Sequence, residues 1–214
     1  MGDVEAKTDT SNNGDPNSTS AGPSLTDHTA SGGFPARQAN RGQEPLSDKP
    51  PPVDHGDLDM KIARDGTWFY RGSPIARQPL VKLFASVLRR EADGSYWLVT
   101  PVERGRIAVE DVPFLAVEVS SEGSGRDRKL SFRTNLDEIV AAGPAHPLRV
   151  ETAANGEPKP YILVREGLEA RIARPVFYEL VDLAATEDIA GERQFGVWSS
   201  GKFFRLGDPV EDWE

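Results

Sequence analysis

The sequence predicts an α+β fold in which one β-hairpin–helix–strand unit occurs twice around a β-rich middle. Three observations lead there. The turn dipeptides Asp65-Gly66, Asp93-Gly94 and Asn155-Gly156 separate short aromatic or β-branched runs, which is hairpin patterning. A helical apolar period follows each of two prolines, Pro79 and Pro175. The segment Ile75-Ala76-Arg77-Gln78-Pro79 returns, one residue shorter, as Ile172-Ala173-Arg174-Pro175.

Composition bounds the folded part. Residues 1–56 carry four Lys or Arg against eight Asp or Glu, are rich in Ser, Thr, Asn, Gly and Pro, and lack apolar clusters. Such a segment buries too little apolar area to offset chain entropy, so a disordered tail is expected there. Lys49-Pro50-Pro51-Pro52 at its end reads as a polyproline II spacer. The remainder is expected to divide into an N-terminal repeat with its β-rich extension, 57–146, and a C-terminal repeat, 147–214. The net charge of -9 opposes binding to a nucleic-acid backbone or an anionic membrane surface. The chain has no Cys, which removes disulfides, thiol nucleophiles and thiolate zinc sites. Neither a basic-then-apolar leader nor a run of spanning length is present, so the expected location is the cytoplasm.

In chain order, Met60–Ala63 reads as a strand, Asp65-Gly66 as its turn and Trp68–Tyr70 as the return strand. A helix opens at Pro79, where the missing N–H costs nothing. Its residues Leu80, Val81, Leu83, Phe84, Val87 and Leu88 share one arc, with Lys82, Ser86 and Arg89 opposite. Tyr96–Val99 is a buried strand. Residues 106–109, 114–119 and 129–133 read as strands of the middle, with a basic hairpin tip at Gly123–Lys129. Asn135 with Glu138 three residues on has the form of a capping box, predicting a short helix over Leu136–Ala142 that Gly143 stops. Leu148–Glu151, Tyr161–Val164, a helix after Pro175, Phe195–Trp198 and Lys202–Arg205 complete the second unit. The helices keep one phase: Leu80, Val81, Phe84, Val87 and Leu88 correspond to Val176, Phe177, Leu180, Leu183 and Ala184. Trp68, Trp97 and Trp198 fall on strands in equivalent places and are expected in the core.

The runs GTWFYRGSPI (66–75), LVKLFASVLRRE (80–91), YWLVTPVE (96–103), VEDVPFLAVEV (109–119), FRTNLDEIV (132–140), HPLRVE (146–151) and ARPVFYELV (173–181) resemble, in order, the proteobacterial DUF1285 family of unknown function. The resemblance covers the folded part and none of the tail. It implies an α+β architecture with a duplicated core and a C-terminal half superficially like a pleckstrin-homology barrel. It also implies ligand binding between the halves in a signalling setting, and it carries no catalytic residue.

Candidate chemistry is sparse. Arg77 and Arg174 each stand just before a helix-opening proline, where a cation opposes the helix dipole unless an anion is near. Packing of duplicated halves about a pseudo-twofold axis would bring them together as a bidentate site for a carboxylate or phosphate, with Arg71 and Arg165 adding to it. The competing assignment is internal ion pairing with Glu103, Glu166 or Glu169. His146, outside the tail region, stands alone as a histidine; with Asn135 and Glu103 it is the centre of the alternative, a hydrolase or transferase with an unfamiliar site. No G-x-S-x-G elbow accompanies it. Asp57, Asp59, Asp111, Asp182, Glu187 and Asp188 follow no metal-loop pattern and read as solvated surface. The glycines at 123–125 lie between strands and do not form a phosphate-cradling loop. The expected function is therefore a binding module for a small anionic ligand or a protein partner, through Arg71, Arg77, Arg165, Arg174, Glu103, Asn135 and His146. No cofactor is implied. A protein–protein adaptor using an exposed strand edge is the third reading.

Overall fold

The structure, a computed structural model, describes residues 50–207. Most of the expected tail and Trp213 lie outside the described residues. Within them the chain forms fifteen strands, two α-helices and three sheets. The first half runs β1 (Val53–Ile62), β2 (Trp68–Tyr70), β3 (Ser73–Pro74), α1 (Gln78–Ser86), β4 (Leu88–Arg90), β5 (Tyr96–Val99) and β6 (Glu103–Val109). Then follow β7 (Phe114–Glu122), β8 (Lys129–Thr134) and β9 (Ile139–Ala141). The last part runs β10 (Leu148–Thr152), β11 (Pro158–Arg165), β12 (Leu168–Ile172), α2 (Arg174–Asp182), β13 (Ala185–Ile189), β14 (Glu192–Ser199) and β15 (Lys202–Gly207). The architecture is mostly β-sheet with two helices, within the α+β class.

Both six-stranded sheets are built alike. Each joins two antiparallel three-stranded meanders through one parallel pair. The orders are β3-β2-β1-β6-β5-β4 and β10-β11-β12-β7-β8-β9, with β1 parallel to β6 and β12 parallel to β7. The third sheet is the meander β13-β14-β15. One apolar cluster runs through the whole, with Ile62, Trp68, Leu88, Phe114, Phe132 and Ile162 almost fully excluded from solvent.

Four sequence expectations are corrected. The tail expected to end at 56 gives way to β1 from Val53, because Val53 and Asp54 pair with Glu103 and Arg104 of β6 and Asp54 faces the Arg104 guanidinium at 3.2 Å. Polar residues that read as solvated chain are thus one side of a parallel ladder. The helix expected over Leu136–Ala142 is a turn followed by β9. Thr134 Oγ1 accepts the Leu136 and Glu138 N–H groups at 3.3 and 3.1 Å, and Asp137 takes φ of 65°, which ends any helical path. Asn135 caps nothing helical. Its Oδ1 accepts the Leu115 N–H and its backbone N–H goes to the Leu115 carbonyl, so it staples β7. The first helix ends at Ser86 rather than running through Leu88, because Leu88 pairs with Leu98 in the sheet; Leu83 is 60% exposed and Ala85 takes the buried place expected for it. Finally, Trp97 and Trp198 are only half-buried, each covered by an arginine, Arg104 at 3.9 Å and Arg126 at 4.8 Å from the ring centres. Trp68 alone of the three is fully in the core.

The basic hairpin tip is also docked rather than free. The Ser200 and Gly201 N–H groups donate to the carbonyls of Arg128 and Arg126, and Arg128 Nη1 donates to the Leu183 carbonyl at 2.6 Å.

Gly196 marks the tightest approach between β14 and β15. A Cβ there would stand 2.2 Å from the Phe204 carbonyl oxygen and 2.9 Å from the Phe203 ring. The backbone partner cannot swing aside without breaking the ladder. Gly196→Ala is expected to cost about 3 kcal/mol, seen as a lower urea midpoint at unchanged slope.

Candidate functional site

Three sequence elements build a cleft rich in cationic side chains. The β10–β11 turn is set by Asn155-Gly156, where Gly156 takes φ of 80° and its N–H donates to the Ala153 carbonyl. α2 begins directly after β12, with Ala173 as an N-cap that offers no side chain to the first turn. The β1–β2 turn is held by Glu110, which accepts the Arg64 N–H at 3.0 Å and the Lys61 ammonium at 2.8 Å. That anchoring carries Arg64 from the first half to the edge of the second. Together these elements enclose about 580 Å³ lined by Arg64, Lys159, Arg171 and Arg174, with Phe177 and Tyr178 on the helix side. Glu157 is the one acidic residue in the lining.

The charges are unequally committed. Arg174 Nη2 lies 2.9 Å from Glu157, and Asn155 followed by Arg174 holds the Glu157 carboxyl below the usual carboxylate range. Arg171 Nη1 reaches Asp111 at 3.5 Å. Arg64 and Lys159 make no side-chain hydrogen bond or ion pair among the described residues, and the Arg64 charge contributes to lowering the Glu110 carboxyl. The free N-terminal end of α2 adds a partial positive charge to the same cleft.

Behind Arg171 runs a polar seam. Tyr161 donates its hydroxyl to Asp111 Oδ1 at 3.0 Å, and Arg149 lies 4.3 Å from the Tyr161 ring centre. Arg149 also makes a bidentate pair with Glu169, at 2.6 and 2.7 Å, and bonds Glu151. Glu169 raises the Arg149 pKa further, so this cation stays charged throughout. Tyr96, from the first half, is pushed up by burial, with the charges of Arg90, Glu169 and Asp111 acting on it. Asp111, expected on solvated surface, is instead largely enclosed and paired with Tyr161 and Arg171, and none of Arg64, Tyr96, Lys159, Tyr161 or Arg171 was a candidate site residue from sequence. Their only linear signal is the alternation along β11 and β12, which places Lys159, Tyr161 and Arg171 near one end of the sheet.

The residues expected from sequence are distributed as follows. Arg174 lines the cleft and Arg77 does not. The one-residue deletion before Pro175 makes Arg77 the N-cap of α1 but Arg174 the first residue of α2, so the two side chains leave their helices in different directions. Arg77 is exposed without a side-chain partner among the described residues. Arg71 sits in the β2–β3 turn at φ of 49° beside the Tyr70 ring. Arg165 is a clamp: its guanidinium bonds both Glu138 oxygens and the Ala85 carbonyl at the end of α1, and lies over the Phe114 ring. Glu103 opens β6 and faces His55 at 3.7 Å. His146 Nδ1–H donates to the Leu163 carbonyl at 3.0 Å, and Asn135 Nδ2 donates to the Gly66 carbonyl. No hydrogen bond joins His146, Asn135 and Glu103 to one another among the described residues.

Fold and cleft together define a small α+β protein that gathers cations at the start of its second helix. Comparison with known proteins narrows the class. Residues 45–112 match the N-terminal domain, and residues 113–206 the C-terminal domain, of the DUF1285 family, both described as of unknown function. A DUF1285 family protein from Silicibacter pomeroyi DSS-3, solved at 2.50 Å, is 48% identical over 78% of this chain and 89% of that one, with a TM-score of 0.68. Another from Shewanella baltica OS155, solved at 1.40 Å, is 27% identical over 59% of this chain and 91% of that one, with a TM-score of 0.47. No curated protein matches. This chain belongs to the DUF1285 family. Among the described residues no helix is long and apolar enough to cross a membrane.

Two outcomes follow from the seam. Arg165 and Glu138 are each only 31% exposed, so a double-mutant cycle with Arg165→Met and Glu138→Gln should give a coupling of about 1–2 kcal/mol in chemical denaturation. The Tyr161 phenol is pushed up to about 12, first by burial and then by donation to Asp111, against 10.0 for an ordinary tyrosine. Between those values the unfolded chain loses a proton that the native chain keeps, so native stability falls as pH rises through that window. Stability profiles over this range should show a shallower fall for Tyr161→Phe than for the wild type.

Proposed function

We propose that this protein is a binding module for a small anionic ligand, held in the cleft between the β10–β11 turn, α2 and Arg64. One observation carries the reading. A chain of net charge -9 places four cationic side chains around one cleft with a single carboxylate among them. Arg64 and Lys159 are left available for an incoming anion, and Arg171 and Arg174 are pre-oriented by Asp111 and Glu157. A carboxylate or phosphate entering here meets charge-assisted donors at the positive end of a helix. Arg64 belongs to the first half and the other three to the second, so occupancy would tie the two together. That is the geometry a ligand sensor needs, and the signalling setting rests on the family resemblance.

The same reading includes duplication. Residues 53–109 and 148–207 each run three strands, a helix and three strands, with a proline in the first helical turn. We read them as two copies, with β7–β9 as an added meander. On this reading the C-terminal half is pleckstrin-homology-like, a curved sheet pair closed by one helix.

The test is a thermal-shift titration with pyrophosphate and citrate, followed by calorimetry on whichever stabilises the protein. Lys159→Ala and Arg174→Ala should each raise Kd about tenfold, the value of one charge-assisted hydrogen bond. Kd values unchanged in both variants would remove the cleft from consideration.

A further inference from the structure

One aromatic side chain in the anion cleft has no partner in the fold. Tyr178 lines the cleft from α2 and is 58% exposed. It makes no ring contact and no side-chain hydrogen bond among the described residues. Rings elsewhere at the surface each stand beside a cation, Trp97 with Arg104, Trp198 with Arg126 and Tyr70 with Arg71. Helical spacing sets the place of Tyr178. It follows Arg174 by four residues, so the two share one face of α2 a turn apart. Phe177 lines the cleft beside it and is almost fully buried.

The other cations reach the cleft from elsewhere. Arg171 is paired with Tyr161 across β12 and β11, and Lys159 comes two residues before Tyr161, so Lys159 and Arg171 share one face of the sheet. Arg64 enters the same space from the β1–β2 turn. Glu157 is also in the lining, with Arg174 at 2.9 Å. A ligand that fills the cleft therefore meets cations, one carboxylate and one aromatic face. That combination favours a molecule that is anionic at one end and neutral and flat at the other, with a hydrogen-bond donor on its neutral part. The volume of about 580 Å³ suits such a molecule. Small-molecule sites enclose roughly 300–1,000 Å³, far more than a bare phosphate or carboxylate fills.

We infer that the anionic group is carried on a planar heteroaromatic ring, the chemistry of a nucleotide, with the phosphate at Arg64, Lys159 and Arg171 and the base stacked on Tyr178. This rests on the anion-binding reading of the cleft and adds the body of the ligand to it. Every base has a π-face, so stacking on Tyr178 supplies affinity without choosing among bases. Glu157 accepts from an amino or hydroxyl group of the ligand, since a carboxylate has acceptor sites beyond the one that Arg174 uses.

Calorimetry on the full chain with adenosine monophosphate and with ribose-5-phosphate isolates the ring, because the two compounds share phosphate and sugar. The nucleotide should bind about tenfold or more tightly, within what one base–aromatic stack supplies. Tyr178→Ala should abolish that ratio and Tyr178→Phe should keep it, while Lys159→Ala should weaken both compounds by the same factor. Tyr178 is exposed, so neither replacement disturbs the core. Equal binding of the two compounds, or a ratio that survives Tyr178→Ala, would overturn the inference. Anion binding itself stands in that case if Lys159→Ala still weakens both. Binding of pyrophosphate with neither of the other two would likewise overturn the inference and leave the anion site in place. No binding of any of the three would overturn both readings.

Discussion

Two parallel strand pairs hold this fold together. Antiparallel meanders form from neighbouring residues through short turns, and each is a marginal structure alone. What turns four of them into two six-stranded sheets is β1 beside β6 and β12 beside β7. Both pairings join residues some fifty positions apart, such as Ile62 with Val109 and Ile172 with Ala116. Ile62, Phe114, Ala116 and Ile172 are almost fully buried, so the joins sit where the apolar cluster is densest. Closing such long loops costs chain entropy, and the burial at the joins is what offsets it.

The joins also decide where charge can collect. Ion pairs gather along the seam between the halves, Arg165 with Glu138 and Arg171 with Asp111, and Arg149 with Glu169 lies beside it within the second half. At the margin of that seam the pairing is incomplete. Arg64 and Lys159 line the cleft without a side-chain hydrogen bond or ion pair among the described residues, and the start of α2 adds to their field. In an acidic protein this is a local excess of positive charge, and the proposed anion binding rests on it. Arginines do other work as well. Arg104, Arg126 and Arg149 lie over Trp97, Trp198 and Tyr161, so that large rings on the sheet surface are covered by guanidinium planes rather than by a further layer of apolar side chains.

Local patterns were readable where local physics dominates. Turn dipeptides placed the β1–β2, β4–β5 and β10–β11 connections, because positive φ at glycine is a single-residue property. Proline placed both helix starts, and aromatic or β-branched runs placed β2, β5, β11 and β14. Misreadings came where a remote partner outweighed a local preference. The Asn135–Glu138 spacing has the form of a cap, yet Asn135 bonds Leu115 and Gly66 and Glu138 bonds Arg165, all distant in sequence. β4 begins within the stretch expected as the end of the first helix, β12 and β13 were not assigned from sequence, and each is a strand because a neighbour supplies its ladder. Among the candidate site residues, Arg174 reached the cleft, while Arg77 was displaced by a one-residue difference before the proline.

By itself, the chain order of residues determined the class of fold, the two helices and their prolines, the hairpin turns, and the acidic balance. It also carried the family. Only the tertiary structure decided which strands join in parallel, and that Arg64 lines one cleft with Lys159, Arg171 and Arg174. The reason is one of range. Turns, caps and periodicity are set by torsions and contacts within a few residues, whereas a cleft lined from β1–β2, β11, β12 and α2 exists only once packing has brought distant segments together.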